Sequence, residues 1–371
     1  MGERFRTLAG LAVNLPFWRG RRVLLTGHTG FKGSWLALWL HALGAEVVGY
    51  ALPPEGEHAL FELARVADTL TSLEGDVRDA EQLARVVRDH EPEVVMHLAA
   101  QALVRPSYRQ PLETYATNVM GTAHVLDAVR RAPTPPRVVL CVTSDKCYEN
   151  RETDVPYRED DPMGGADPYS SSKGCAELVS TAYRRSYFPP ERSQQHGVVV
   201  ASARAGNVIG GGDWATDRLV VDVVSAYLAG RNPRIRNPRA VRPWQFVLEP
   251  LAGYLQLLEY AFVAPERAAA GWNFGPELPD CQPVSFLADG LAAAWGEGVG
   301  WDHDLQEHVH EAQLLLLDAS KARSELGWRP RLALSDAIER TVAWYRAFER
   351  SDDVAAFTRH QIAEYQRLVE A

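Results

Sequence analysis

The chain has little sulfur, no long apolar run and no excess of positive charge, and each absence removes a class of protein. Four of its 371 residues are cysteines, at 141, 147, 175 and 281, with no CxxC pair and no zinc-type spacing. That distribution reads as scattered reduced thiols rather than a disulfide framework or a metal centre, and no metal is expected. No run approaches the ~20 uninterrupted apolar residues of a membrane helix. The stretch from Met1 to Arg22 holds one short apolar run broken by Asn14 and Pro16, a poor secretory signal, so a cytoplasmic protein is expected. With 39 Lys and Arg against 48 Asp and Glu, the formal net charge is -9, which argues against nucleic acid or an anionic membrane as partner. Small molecules remain, including a phosphate-bearing one held by a local basic pocket.

Length and composition point to a large folded chain. At 371 residues it exceeds the size, about 250 to 300 residues, at which one core stops growing, and 46% hydrophobic content supports two lobes. Up to residue 150 short apolar strands alternate with amphipathic helices: Arg22–Thr26, Glu46–Tyr50, Glu93–His97 and Val138–Ser144 against helices over Ser34–Leu43, Leu83–His90 and Val119–Arg130. This alternation predicts an α/β fold, a doubly wound parallel sheet with right-handed crossovers. Residues 151–167 form a long polar loop, Asp167-Pro168 starts a helix running to about Tyr187, and Val198–Ala201 returns to the sheet. The expected division is a dinucleotide-binding lobe over 18–205 carrying the catalytic residues, a mainly substrate-binding lobe over 206–350 with segments returning to the first, and a C-terminal helix over 351–371.

The turn after the first strand reads Gly27-His28-Thr29-Gly30-Phe31-Lys32-Gly33. Glycines between a strand and a helix let backbone approach a pyrophosphate, whose charge the helix start then holds. Further along, Tyr169 and Lys173 stand four apart on the helix begun at Pro168, so a phenol and an amine share one face. A neighbouring ammonium favours the phenolate and would bring the tyrosine towards the working range. Upstream, the buried strand ends in Ser144, Asp145 and Lys146, which puts an acid and a second amine where an apolar run stops. An exposed salt-bridged pair at a loop start is the competing reading of those two charges.

These stretches together resemble the extended short-chain dehydrogenase/reductase family. The spacing GxxGFxG, the segment Gly75-Asp76-Val77-Arg78-Asp79 and the strand end His97-Leu98-Ala99-Ala100-Gln101 are similar to its cofactor-binding motifs. The resemblance implies contacts to the cofactor from Gly27, Thr29, Gly30, Phe31, Lys32, Gly33, Asp76, Val77, Leu98, Ala99, Ala100, Tyr169 and Lys173. Asp76 also reads as a turn or helix-capping aspartate. The acid expected about 20 residues after the glycines is missing, because the second strand ends Gly49-Tyr50-Ala51-Leu52 with no arginine either. NAD is favoured over NADP.

Within that family Ser144, Tyr169 and Lys173 match the serine-tyrosine-lysine centre, and Thr143–Tyr148 resembles the active-site strand of nucleotide-sugar 4,6-dehydratases, where other members carry aspartate-glutamate. Lysine at 146 looks like the CDP-glucose branch. The likeness extends through Arg204–Trp214, Arg242–Tyr254 and Asp318–Trp328, covering the chain from Trp18 to about Phe348. It implies oxidation of a sugar at carbon 4, elimination of water across carbons 5 and 6, and hydride return to carbon 6. Tyr169 would take the hydroxyl proton; Asp145 would be the acid and Lys146 the base by position, an assignment that burial favours and their mutual attraction opposes.

Substrate contacts are expected from Gln101, Ser144, Asn207, Arg234 and Arg242, since a forked guanidinium suits a diphosphate. Arg204 reads equally as a strut between lobes, and Arg231, Arg236 and Arg239 as a solvated basic face. His303, His308 and His310 read as exposed strand or loop rather than metal ligands. A nucleotide-sugar 4-epimerase, a dehydratase for another nucleotide and a non-catalytic NAD-sensing regulator are the rival functions. Homodimerisation through helices including the one bearing Tyr169, with pairing into a dimer of dimers left open, is what the resemblance implies.

Overall fold

The computed structural model describes residues 13–306 and 312–370. Seven strands form one parallel sheet: β1 (Arg22–Thr26), β2 (Glu46–Ala51), β3 (Thr71–Glu74), β4 (Val94–His97), β5 (Val138–Val142), β6 (Val199–Ala205) and β7 (Gly271–Phe274). Their spatial order is β7-β6-β5-β4-β1-β2-β3, so the chain winds outward from β1 to β3, then returns to lay β4 on the other side of β1. That reversal opens a crevice above the carboxyl ends of β1 and β4, where ligands of doubly wound sheets bind.

Strand composition explains the double layer. Val23 and Leu25 face one core while Leu24 faces the other, and the same alternation sorts Val94 and Met96 from Val95, Val138 and Leu140 from Val139, and Val199 and Ala201 from Val200. Every second residue points to the opposite face, so strands that are apolar throughout need helices on both. On one side lie α1 (Phe31–Ala42) and, from later in the chain, α6 (Leu248–Val263); on the other lie α2 (Ala80–His90), α3 (Gly121–Arg131) and α4 (Pro168–Ser186). Between α4 and α6 stands α5 (Leu219–Leu228), and α7 (Val284–Trp295), α8 (Leu334–Glu349) and α9 (Val354–Glu370) complete the second half.

The strand–helix alternation expected from the sequence is present, with β7 a late segment that returns to the sheet beside β6. Two differences are local. The helix expected over Val119–Arg130 begins as a π turn at Ala116–Met120 before α3, and the strand expected to reach Ser144 stops at Val142. The cause of the second is chemical: the Ser144 hydroxyl accepts from the Lys146 amide at 3.2 Å and so caps a short turn over Asp145–Cys147 instead of extending the ladder. Asp145 and Lys146 are thereby presented at the sheet's carboxyl edge. In the second half Glu249, at 0% exposure, accepts from the amides of Arg331 and Leu332 and from the Tyr365 hydroxyl, which ties α6 to the C-terminal helices.

Candidate active site

The glycine turn is built for close approach. Gly27 sits at φ 77°, and a β-carbon there would lie 2.7 Å from the Ala99 amide nitrogen; one on Gly33 would lie 2.0 Å from the Gly27 carbonyl. Gly30 differs, since its β-carbon would meet only the Gly27 carbonyl at an ordinary 3.5 Å. Gly30 also stands at the N-cap of α1 with no side chain capping the helix amides. The protein's own packing thus does not require glycine at 30, while the uncapped helix start beside it suits a pyrophosphate. Gly33→Ala is expected to overpack the turn, costing about 1–3 kcal/mol of stability and most of the affinity for a dinucleotide, read by thermal melts with and without NAD.

Around that turn the expected cofactor residues take specific partners. Thr29 donates its hydroxyl to the Leu52 carbonyl at 2.9 Å, at the end of β2 where the ribose acid is missing. The Ala99 amide donates to the Thr26 hydroxyl, and Val77 is buried with its carbonyl accepting from His124. Phe31, Leu98 and Ala100 are partly buried. The Asp76 carboxylate accepts from the Arg78 amide and guanidinium, both at 2.8 Å, a pairing that holds its pKa below the usual value. Of its two readings, the turn aspartate describes the carboxylate's present partners, and Arg78 went unnoticed in the sequence.

Ser144, Asp145, Lys146, Tyr169 and Lys173 converge at the ends of β5 and α4. The Ser144 hydroxyl donates to Asp145 Oδ1 at 2.9 Å, whereas Asp145 Oδ2 is buried with no hydrogen-bond partner among the described residues. Asp145 is 2% exposed, and burial raises its pKa against the pull of Lys146, Ser144, Arg242 and Lys32. Tyr169 is buried, with Lys146 Nζ 5.8 Å and Lys173 Nζ 6.0 Å from its ring centroid. Here the sequence expectation needs correcting: burial pushes Tyr169 up to about 12, and Ser144 and Arg218, not the lysines, are the groups that draw it back. Burial lowers Lys173 to about 8, and burial with Arg218 lowers Lys32 to about 8. The chain has four lysines, and three of them bear on this one centre.

The residues expected at the substrate divide. Arg242 is buried, donates to the Val241 and Ala312 carbonyls and directs its charge at Asp145. Gln101 turns its amide to the Leu103 carbonyl at 2.9 Å, and its backbone is held on both sides by Asn118. Asn207 is half-buried, its carbonyl accepting from the Gln245 amide. Arg234 is exposed on the short strand Arg234–Ile235, paired with Asp302–His303. Arg236, read from sequence as solvated basic face, instead pairs with Asp217 at 3.6 Å, and Arg105 binds the same carboxylate at 3.1 Å. His303 is exposed; His308 and His310 lie outside the described residues.

Three groups escaped the sequence reading. Arg218, paired with Asp213, acts on both Tyr169 and Lys32. Asn118, on the π turn, links Gln101 to Ser172. Glu177, one turn beyond Lys173 on α4, forms a buried ion pair with Arg204 at 2.9 Å, which ties β6 to α4 rather than one expected lobe to the other. The i,i+4 step from Lys173 was the available signal for Glu177.

Residues 24–270 match the family model described as GDP-mannose 4,6 dehydratase. The chain belongs to this family. It is 50% identical over 353 residues, 95% of this chain and 98% of the other, to a CDP-glucose 4,6-dehydratase of Salmonella typhimurium. It is 30% identical, over 88% of this chain and 98% of the other, to a UDP-glucose 4-epimerase of Mycolicibacterium smegmatis. Among solved structures, the dTDP-glucose 4,6-dehydratase of Streptomyces venezuelae with NAD and TYD bound superposes with a TM-score of 0.72 at 27% identity, covering 89% of this chain and 98% of that one. The chain's relatives thus include both a 4,6-dehydratase and a 4-epimerase.

Proposed function

We propose that this chain is an NAD-dependent nucleotide-sugar 4,6-dehydratase that converts CDP-glucose to CDP-4-keto-6-deoxyglucose. The carrying observation is the pair at the end of β5: a buried carboxyl with a raised pKa and a free oxygen, next to an amine near the catalytic phenol. An epimerase has no elimination to perform and no use for such a pair. The 50% identity to a CDP-glucose 4,6-dehydratase supports the cytidine nucleotide.

The uncapped start of α1 and the space at Gly30 fit the pyrophosphate of NAD. Bound NAD supplies a hydride acceptor at carbon 4 and a donor at carbon 6. Tyr169 removes the carbon 4 hydroxyl proton, with Ser144 orienting that oxygen. The resulting ketone acidifies the hydrogen on carbon 5, which Lys146 takes and, as hydride is restored to carbon 6, gives back to carbon 5. Asp145, whose pKa burial raises, delivers a proton to the leaving carbon 6 hydroxyl. Arg242 and Arg218 are suited to the diphosphate.

A homodimer belongs to the same reading. Leu178 on α4 is 60% exposed and Leu112, on the helix Pro111–Tyr115 packed beside it, 84% exposed, a pair of large apolar groups poorly suited to water. A cytoplasmic location is also proposed, on four cysteines that all remain unpaired. Purified protein incubated with CDP-, dTDP-, GDP- and UDP-glucose tests the assignment. A 4-keto-6-deoxy product from the CDP-sugar, with no net reduction of NAD, is expected. A carbon 4 epimer, or preference for another nucleotide, would overturn it.

A further inference from the structure

The first residues of a helix cannot satisfy their amides within it, and at the start of α4 those residues are Pro168, Tyr169 and Ser170. Pro168 has no amide proton. The Ser170 amide donates to Oδ1 of the capping residue Asp167 at 2.9 Å, and with Ser171 the ladder begins, its amide donating to the Asp167 carbonyl at 2.9 Å. Of these amides, that of Tyr169 alone looks outside the helix. It donates to the Ser107 hydroxyl at 3.1 Å, a partner 62 residues away in the chain.

Both partners are buried, Ser107 at 0% exposure and Tyr169 at 7%. The loop before α4 closes over the same turn, since a β-carbon on Gly165 would lie 2.3 Å from the Ser171 amide nitrogen. The direction of the bond is fixed: the serine's one proton goes to the Val104 carbonyl at 2.6 Å, so it offers the Tyr169 amide a lone pair. Ser107 is itself anchored. It sits on the short helix Val104–Arg109, closed by the Gln110 amide on the Pro106 carbonyl at 2.8 Å and preceded by Leu103, whose amide donates to Gln101 Oε1. Two residues before Ser107, Arg105 pairs with Asp217 at 3.1 Å, which ties the same helix to the second half of the chain.

We propose that Ser107 is a positioning residue for the reaction, acting through Tyr169: by accepting the tyrosine's main-chain amide it fixes the first turn of α4, and with it the place of the phenol. The assignment rests on Tyr169 being the base at the carbon 4 hydroxyl, as read above. Misplacing a reacting group by about 1 Å can cost on the order of 10²-fold in rate. Ser107→Ala removes the acceptor and leaves a buried amide facing a methyl group, so the turn frays and the phenol shifts. Two readings test this. Protein carrying heavy nitrogen in its 13 tyrosines gives one amide signal for each, and Tyr169→Phe identifies the one from Tyr169. In Ser107→Ala that amide is expected to exchange with deuterium about tenfold faster or more, while those of Tyr254 and Tyr365, buried on α6 and α9, keep their native rates. In the same variant kcat for CDP-glucose is expected to fall roughly 10- to 10²-fold with KM within about twofold.

Loosening confined to Tyr169, joined to a loss in kcat alone, is the signature that a packing role cannot produce; lost packing speeds exchange at many tyrosines together. A native exchange rate at Tyr169, a native kcat, or faster exchange shared with Tyr254 and Tyr365 overturns the assignment. Should Ser107→Ala fail to fold, Ser107→Cys, which fills the place of the hydroxyl with a weaker acceptor, decides by the same two readings. Failure of the native protein to turn over CDP-glucose would instead strike the dehydratase reading, and leaves the exchange measurement intact.

Discussion

Tyr169→Phe is expected to lower kcat for CDP-glucose by ~10²–10⁴-fold, the range that one positioned acid–base group contributes, with KM little changed. The ring keeps its buried place against α4's neighbours, so folding is spared; only the proton acceptor is lost. The phenol begins at a disadvantage, since burial holds it near 12. What draws it back towards a workable base is the hydrogen bond of Ser144 and the charge of Arg218. The sign of the pH profile follows. A group whose pKa lies above the assay pH becomes more competent as pH rises, so kcat/KM climbs with pH on the tyrosine limb. Lys173 works in the opposite sense: its charge is present below about 8 and lost above it, which turns the profile over there. A profile that rose unbroken through pH 10 would contradict a charged Lys173, and a Tyr169→Phe variant with native kcat would remove the phenol from the mechanism.

Lys146→Ala is expected to separate the two halves of the reaction. Oxidation at carbon 4 depends on Tyr169 and survives in part. Removal of the carbon 5 proton loses its base, so dehydrated product falls by at least about 10²-fold. Running the variant in deuterium oxide makes the distinction visible: native enzyme places deuterium at carbon 5 and the variant does not. Normal incorporation would hand the base role to another group. Asp145 is a poor substitute, because burial raises its pKa and so favours the proton-bearing form of its carboxyl. The sequence left acid and base assigned only by position; the burial of one member and partial exposure of the other give that order a physical reason.

What could be read before any coordinates were residues whose chemistry is local. The glycine turn announces itself because each of its functions, positive φ at Gly27 and contact distance at Gly33, falls within seven residues. Tyr169 and Lys173 announce themselves through one helical step. Groups joined only by folding stayed hidden. Arg218 differs in no local way from Arg234, yet one lies against Asp213 beside the phenol and the other faces solvent. Asp76 has the sequence setting of a ligand residue, and only the structure reveals that Arg78 folds back onto it. Nor can composition announce that burial outweighs a neighbouring ammonium at Tyr169, because desolvation is a property of the packed environment.

The scarcity of lysine carries a practical consequence. Almost all positive charge in this chain is arginine, and none of its four lysines is fully exposed: Lys173 is buried, while Lys32, Lys146 and Lys321 are half-buried. Reagents that acylate or reductively alkylate amines will therefore find few sites besides the chain's own amino terminus and the reaction centre. Coupling this protein to a bead or dye through lysine would poison it, whereas the same chemistry, slowed by bound nucleotide sugar, would serve as a count of working sites.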